Sequence, residues 1–255
     1  MQPSYQSGFY APGRGVAKHP ELWRGCVGAW NPGLGNTGLV LRDWSGGQNN
    51  GTLTLGPTWG VSGGRQALTF DGVNDYVNCG AIKSIQASGT VFSSCAWIYP
   101  TTNTGSGITS YRSAGGNGWV FGRSASGELQ FYTNGWKISS LVVPLNGWSF
   151  VALVYDGALK FYLNSTTDSV AGTPGNGTGF VSLGAWDAGS YAPAAALDDT
   201  RIYNRALSPQ EIRTLAQRPG IAYELAPRKT YFIPTATSTS QFYDVLSPLI
   251  FAGTN

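Results

Sequence analysis

The chain has 255 residues, of which 42% are hydrophobic and 13% aromatic, enough for one sizeable core. Charged residues make up only 11% and the net charge is +3; no basic run is interleaved with aromatics, which excludes a phosphate-tracking nucleic-acid groove. No apolar run reaches the roughly 18 residues of a membrane-spanning helix, and three cysteines without a CxxC or Cys/His pairing exclude a zinc ligand set.

Residues 1–25 are rich in Gly, Pro and polar residues and show no sustained alternation, so they read as an extended arm. They hold no apolar run of the kind an export signal needs, and the unpaired Cys26, Cys79 and Cys95 read as buried thiols made in a reducing compartment. From Gly25 onward the apolar spacing tightens. Cys26–Trp30 and Leu39–Trp44 read as strands, followed by the turn Ser45–Gly51. Ala67–Phe70 and Tyr76–Cys79 flank the turn Asp71-Gly-Val-Asn-Asp75. Val91–Tyr99 alternates, with Cys95, Trp97 and Tyr99 on one face and Phe92, Ala96 and Ile98 on the other. Trp119–Phe121 and Leu129–Tyr132 flank a Ser/Gly turn and predict a hairpin.

Trp148–Tyr155, then Asp156-Gly157, then Ala158–Leu163 is the clearest local signal, because Asp-Gly between apolar runs suits a type I′ hairpin turn. The first of these runs is apolar on both faces, which predicts a central strand. Phe180–Leu183 and Ala196–Tyr203 follow. Ser208-Pro-Gln-Glu211 is a capping box with proline at the first helical position, so one short helix follows and ends before Pro219-Gly220. Residues beyond Ala226 are Thr-, Ser- and Pro-rich. The organisation expected is an arm over 1–25, one domain over 26–217 and a second arm over 218–255. Many short strands, dense glycine punctuation and one terminal helix predict an all-β, two-sheet antiparallel jelly-roll sandwich.

Four segments in order resemble the laminin-G-like jelly roll of the concanavalin A-like lectin/glucanase superfamily. They are Leu41-Arg-Asp-Trp-Ser-Gly-Gly-Gln-Asn-Asn-Gly-Thr-Leu53, Ala67-Leu-Thr-Phe-Asp-Gly-Val-Asn-Asp-Tyr-Val77, Gly147–Gly157 and Leu197-Asp-Asp-Thr-Arg-Ile-Tyr-Asn-Arg-Ala-Leu-Ser208. The entry Glu21-Leu-Trp-Arg-Gly25 and the exit Arg218-Pro-Gly-Ile-Ala-Tyr-Glu-Leu-Ala-Pro-Arg228 resemble proteins of tailed-phage and prophage regions.

The resemblance implies where chemistry could sit. Glycanases on this fold need two carboxylates flanking one glycosidic bond. This chain has four glutamates, Glu21, Glu128, Glu211 and Glu224, with no two on one strand, and its one histidine, His19, lies in the first arm. No enzyme is expected. The family carries over a structural Ca²⁺ site to Asp43, Asn49 and Asp198; the alternative is an Asx-turn at Asp43 and ion pairs of Asp198 or Asp199 with Arg201 or Arg205. A glycan site would use Trp119, Trp136, Trp186 and Tyr191, with Asn117, Asn134 and Asp187 beside them; the alternative places Trp119 and Trp136 in the core or at a sheet edge. The function expected is a non-catalytic structural or adhesive virion protein of a tailed phage, assembled in the host cytoplasm and held to other virion subunits by its arms. The alternative is an extracellular carbohydrate-binding module.

Overall fold

Alternating apolar residues bounded by turn formers give strands that are apolar on one face, and the chain buries those faces by stacking two antiparallel sheets. The computed structural model describes residues 10–11, 15–35, 38–112, 117–177 and 179–227. The first sheet runs from edge to edge as β13 (Trp136–Val142), β12 (Glu128–Tyr132), β11 (Gly118–Arg123), β10 (Ser106–Arg112), β17 (Phe180–Leu183), β8 (Tyr76–Asn78), β5 (Gly51–Thr54) and β4 (Val40–Leu41). The second runs as β16 (Thr166–Val170), β15 (Leu159–Leu163), β14 (Ser149–Tyr155), β9 (Phe92–Pro100), β18 (Ala194–Tyr203), β7 (Arg65–Asp71) and β6 (Thr58–Ser62), with β3 (Cys26–Trp30) also pairing β18. A two-stranded ribbon joins β1 (Tyr10–Ala11) to β2 (Gly15–Val16). This is the expected jelly-roll sandwich with, among the described residues, one α-helix, α1 (Pro209–Leu215), whose capping box is complete: the Ser208 hydroxyl accepts from Glu211 N and Glu211 accepts from Ser208 N.

The inner faces meet in one core. Trp119, Phe121 and Phe131 of the first sheet pack with Phe92, Val151, Leu153 and Phe161 of the second. β14 is buried at every position, as a central strand apolar on both faces must be. The β14–β15 hairpin forms with Tyr155 opposite Leu159, but only Gly157 takes a positive φ there, 112°. The turn is therefore not type I′, because a third residue, Ala158, is drawn into the loop.

The outer face of the second sheet is also apolar, and it is covered. Leu22, Trp23, Leu207, Ile212, Leu215, Ile221 and Ala222 pack over Cys95, Trp97, Phe150, Ala152 and Tyr203. Trp23 Nε1 donates to the Ala222 carbonyl at 2.9 Å and Tyr203 Oη donates to the Leu22 carbonyl at 3.0 Å. Residues 16–18 and 224–226 run alongside each other, with Lys18 N donating to Glu224 O and Ala226 N to Val16 O. Within 17–25 and 218–227, then, the flanking segments expected as extended arms are packed on the sandwich and on each other. The physical reason is Leu22, Trp23, Ile221 and Ala222, four apolar side chains that find a second hydrophobic surface. The remainder of the second arm, 228–255, lies outside the described residues.

Candidate functional site: an aromatic row on the first sheet

Among the described residues, the flanks pack on the second sheet and leave the outer face of the first open, and the sequence lays aromatics across it. The β12–β13 hairpin turns through Thr133-Asn134-Gly135, where Asn134 (φ 47°) and Gly135 (φ 117°) supply the left-handed backbone a three-residue turn needs. That register sets Tyr132 opposite Trp136, and their rings meet edge to face at 5.0 Å.

The loop after β17, residues 184–193, folds back over the same face. Glycine makes this possible: a Cβ on Gly107 of β10 would lie 2.3 Å from the Ala185 carbonyl carbon and 2.8 Å from Trp186 N. With hydrogen there instead, the loop backbone rests on the sheet. Trp186 N donates to Ser190 O, Gly189 N to Asp187 O and Gly107 N to Tyr191 O, closing the loop onto β10. The Trp186 ring then reaches Trp136 at 4.8 Å, and Tyr191 stacks on Trp186 at 3.8 Å with an interplanar angle of 21°.

The result is a row, Tyr132–Trp136–Trp186–Tyr191, that crosses strands distant in sequence. Tyr191 is 59% exposed, and Tyr132, Trp136 and Trp186 are half-buried. Arg112 at the end of β10 sits over the Tyr132 ring at 4.9 Å. Three buried polar atoms beside the row have no hydrogen-bond partner among the described residues: Trp186 Nε1, Asp187 Oδ1 and Arg112 Nε. Buried polar atoms are ordinarily paired, so these are groups a polar ligand could satisfy. Apolar ring faces flanked by such groups suit a molecule with a C–H face and hydroxyl edges.

Of the residues expected to bind glycan, the structure brings Trp136, Trp186, Tyr191 and Asp187 together. Trp119 is not among them. It is fully buried on the inner face, stacked between Phe92 at 4.7 Å and Phe131 at 6.1 Å, because its place in β11 points it into the core. The sequence reading missed Tyr132, Arg112 and Gly107. Tyr132 was legible from the Tyr-Thr-Asn-Gly-Trp hairpin; Gly107 was not, since only the folded loop reveals what it accommodates.

The residues carried over for calcium do not fit that ion. Asp43 Oδ1 accepts from Ala29 N at 2.9 Å and Ser45 N at 2.8 Å, and Oδ2 accepts from Ser45 Oγ and Asn49 N, each at 2.9 Å. Four donors saturate its lone pairs, whereas Ca²⁺ needs oxygens turned toward it. The Asn49 amide donates to Val27 O at 2.7 Å. Asp198 instead faces a cleft lined by Arg65 and Arg218. Among the described residues, no three His, Cys, Asp or Glu side chains cluster as a metal site. Asp43 makes the Asx-type turn, and Asp199 rather than Asp198 pairs with Arg201, at 2.9 Å.

The glutamates are engaged elsewhere. Glu211 pairs with Arg205 and caps α1, Glu224 pairs with Lys18 and Arg218, and Glu21 lies beside His19. Glu128 is held below its ordinary range by the hydrogen bond from the Ser124 hydroxyl, the reverse of what a general acid requires.

A two-sheet jelly roll with an open aromatic face defines a lectin-like domain. The chain belongs to the Laminin_G_3 family of the concanavalin A-like lectin/glucanases superfamily, whose model matches residues 71–213, more than half of its length. No curated protein sequence matches the chain. Among solved structures it is similar to domain 4 of AbnA, a GH43 extracellular arabinanase from Geobacillus stearothermophilus solved with arabinotriose. The identity is 18% and the TM-score 0.59, over 75% of this chain and 98% of that one. It is also similar to the Trypanosoma rangeli sialidase in complex with sialic acid, at 16% identity and TM-score 0.57, over 76% of this chain and 33% of the sialidase. The binding domain of Paraclostridial Mosquitocidal Protein 1 matches at 16% identity and TM-score 0.57, over 76% of this chain and 52% of that one. At these identities the likeness is one of fold.

Proposed function

We propose that this chain is a non-catalytic glycan-binding domain whose sugar stacks on Tyr191 and lies along Trp186 and Trp136. The observation that carries the reading is the Tyr191–Trp186 stack. Trp186 fixes one face of Tyr191 at 3.8 Å and the ring remains 59% exposed, so a rigid platform is offered to solvent. Asp187 Oδ1, Trp186 Nε1 and Arg112 Nε supply unpaired polar atoms for hydroxyls. That domain 4 of the Geobacillus arabinanase was solved with arabinotriose supports glycan binding on this fold. The non-catalytic reading is supported by Glu128, held low by the Ser124 hydroxyl, and by the ion pairs that occupy Glu211 and Glu224.

The finer reading is an adhesive or structural subunit of a tailed-phage particle. Its support is the resemblance of the flanks to proteins of such regions, together with apolar residues left open near the sheet edges, Leu39 at 70% and Val61 at 67% exposed, as surfaces for neighbouring subunits. A glycan array probed with the intact chain and with Trp186→Ala tests the first claim. Binding to defined glycans by the parent and its loss in the variant support it; silence of both, or equal binding by both, overturns it. Co-purification with intact particles, against a free monomeric chain, separates the virion subunit from a secreted module.

A further inference from the structure

On the opposite side of the sandwich, the covering flanks leave a gap beside β7. It is an open cleft of about 410 Å³ lined by Asn31, Gly33, Arg65, Asp198, Arg218 and Gly220, within the size range of small-molecule sites. Asp198 is only 6% exposed, and its Oδ1 accepts from Asp199 N at 2.7 Å. The Arg65 guanidinium carbon lies over two indoles, 4.9 Å from the Trp97 ring and 5.5 Å from that of Trp148. Among the described residues, its buried Nη1 has no hydrogen-bond partner and no carboxylate lies within ion-pair distance of the guanidinium. Asn31 uses Oδ1 to accept from Gly33 N at 2.8 Å, which leaves its amide nitrogen to the cleft.

Arg65 has no ion-pair partner among the described residues and Arg218, paired with Glu224, adds a second guanidinium, so an anion is the fitting occupant. Arginine's planar fork suits a carboxylate. The amide of Asn31 and the carboxyl of Asp198 suit hydroxyls beside it. We infer that this cleft binds a sugar acid, with Arg65 and Arg218 taking its carboxylate and Asn31 and Asp198 its neighbouring hydroxyls.

The site carries its own pH dependence. Asp198 is raised to about 7, chiefly by burial and next by the charge of Asp199, against the opposing pull of Arg65. The charged groups facing it are Asp199 on β18, Arg65 on β7 and Arg218 after α1, the last shared with Glu224. Below that pH Asp198 is neutral and donates a hydrogen bond; above it a second negative charge opposes the ligand. Binding therefore weakens as pH rises.

Calorimetric titration of the intact chain with D-glucuronate, D-glucose and acetate at pH 6 and pH 8 tests this. Glucuronate binds, about fivefold or more tightly at pH 6, and glucose and acetate bind far more weakly. Arg65→Ala abolishes binding, and Arg218→Gln, at an exposed position that leaves the fold intact, weakens it. Asp198→Asn binds equally at both pH values. Binding lost in Arg65→Ala but kept in Trp186→Ala assigns the ligand to this cleft, whereas binding lost in Trp186→Ala and kept in Arg65→Ala assigns it to the aromatic row and overturns the inference. Glucose or acetate binding as tightly as glucuronate, retention by Arg65→Ala, the opposite pH trend, or no binding at all overturns the inference.

Discussion

Arg201 and Asp199, both fully buried, are joined at 2.9 Å across a bulge in β18 that turns Asp199 to a φ of 42°. The bulge aims Asp199 outward, where its second oxygen accepts from Gly220 N at 2.8 Å. The Arg201 guanidinium is clasped between the rings of Trp23, at 4.8 Å, and Tyr223, at 4.5 Å. One ion pair thus ties the last strand of the sandwich to both flanking segments.

Removing one partner leaves a buried charge uncompensated. Arg201→Leu should lower unfolding stability by about 3–5 kcal/mol, read by urea denaturation. Trp23→Ala should cost a comparable amount, about 3–5 kcal/mol, through the cavity it leaves. If either variant unfolds at the same urea concentration as the parent, the flanks do not pack as described.

Asp198 gives a stability signature in pH. The folded chain holds this proton up to about pH 7, whereas the ordinary carboxyl value is 3.8. Because the folded state binds the proton more tightly, the contribution is complete below the unfolded value and is lost as pH rises through about 7. Asp198→Asn stays neutral and keeps the acceptor for Asp199 N. It should match the parent near pH 4 and exceed it at pH 8, by roughly 1–3 kcal/mol. Thermal melts across that range decide the point; a variant less stable at pH 8 contradicts it.

The loop over the first sheet depends on one missing side chain. Gly107→Ala drives a methyl into the Ala185 carbonyl, so the loop must lift. We expect a loss of about 1–3 kcal/mol, in the range of overpacking, together with weakened glycan binding, because Trp186 and Tyr191 move with the loop. Unchanged tryptophan fluorescence and unchanged binding would contradict this seat for the loop.

Asp43 is a structural carboxylate. Asp43→Ala orphans the donors of Ala29, Ser45 and Asn49 and should cost at least about 2 kcal/mol. A chelator, or added Ca²⁺, should leave the melting temperature of the parent unchanged. A rise in melting temperature with Ca²⁺ that Asp43→Ala abolishes would restore the calcium reading.

The sandwich was legible because its signals are local. Alternation in Val91–Tyr99, the double-sided apolar run Trp148–Tyr155 and the Ser208–Glu211 capping box each act within a few residues. The polar edge strand β16, Thr166–Val170, gave no such signal, since an edge strand exposed on both faces needs no apolar period. Trp119 and Trp136 read alike in sequence, yet one is core and the other lies on the surface. Position within a strand decides which face a residue takes, and a strand's register comes from its partners.

By itself, the sequence determined most of the strands and the terminal helix, because periodicity and capping are properties of the chain alone. Only the tertiary structure decided that Tyr132, Trp136, Trp186 and Tyr191 form one row, that the flanks fold over the second sheet, and that Asp198 faces Arg65 rather than Asp43. Each is a contact between segments far apart in sequence. Side-chain chemistry permits many such contacts, and the sheet register and the space left at Gly107 select the few that form.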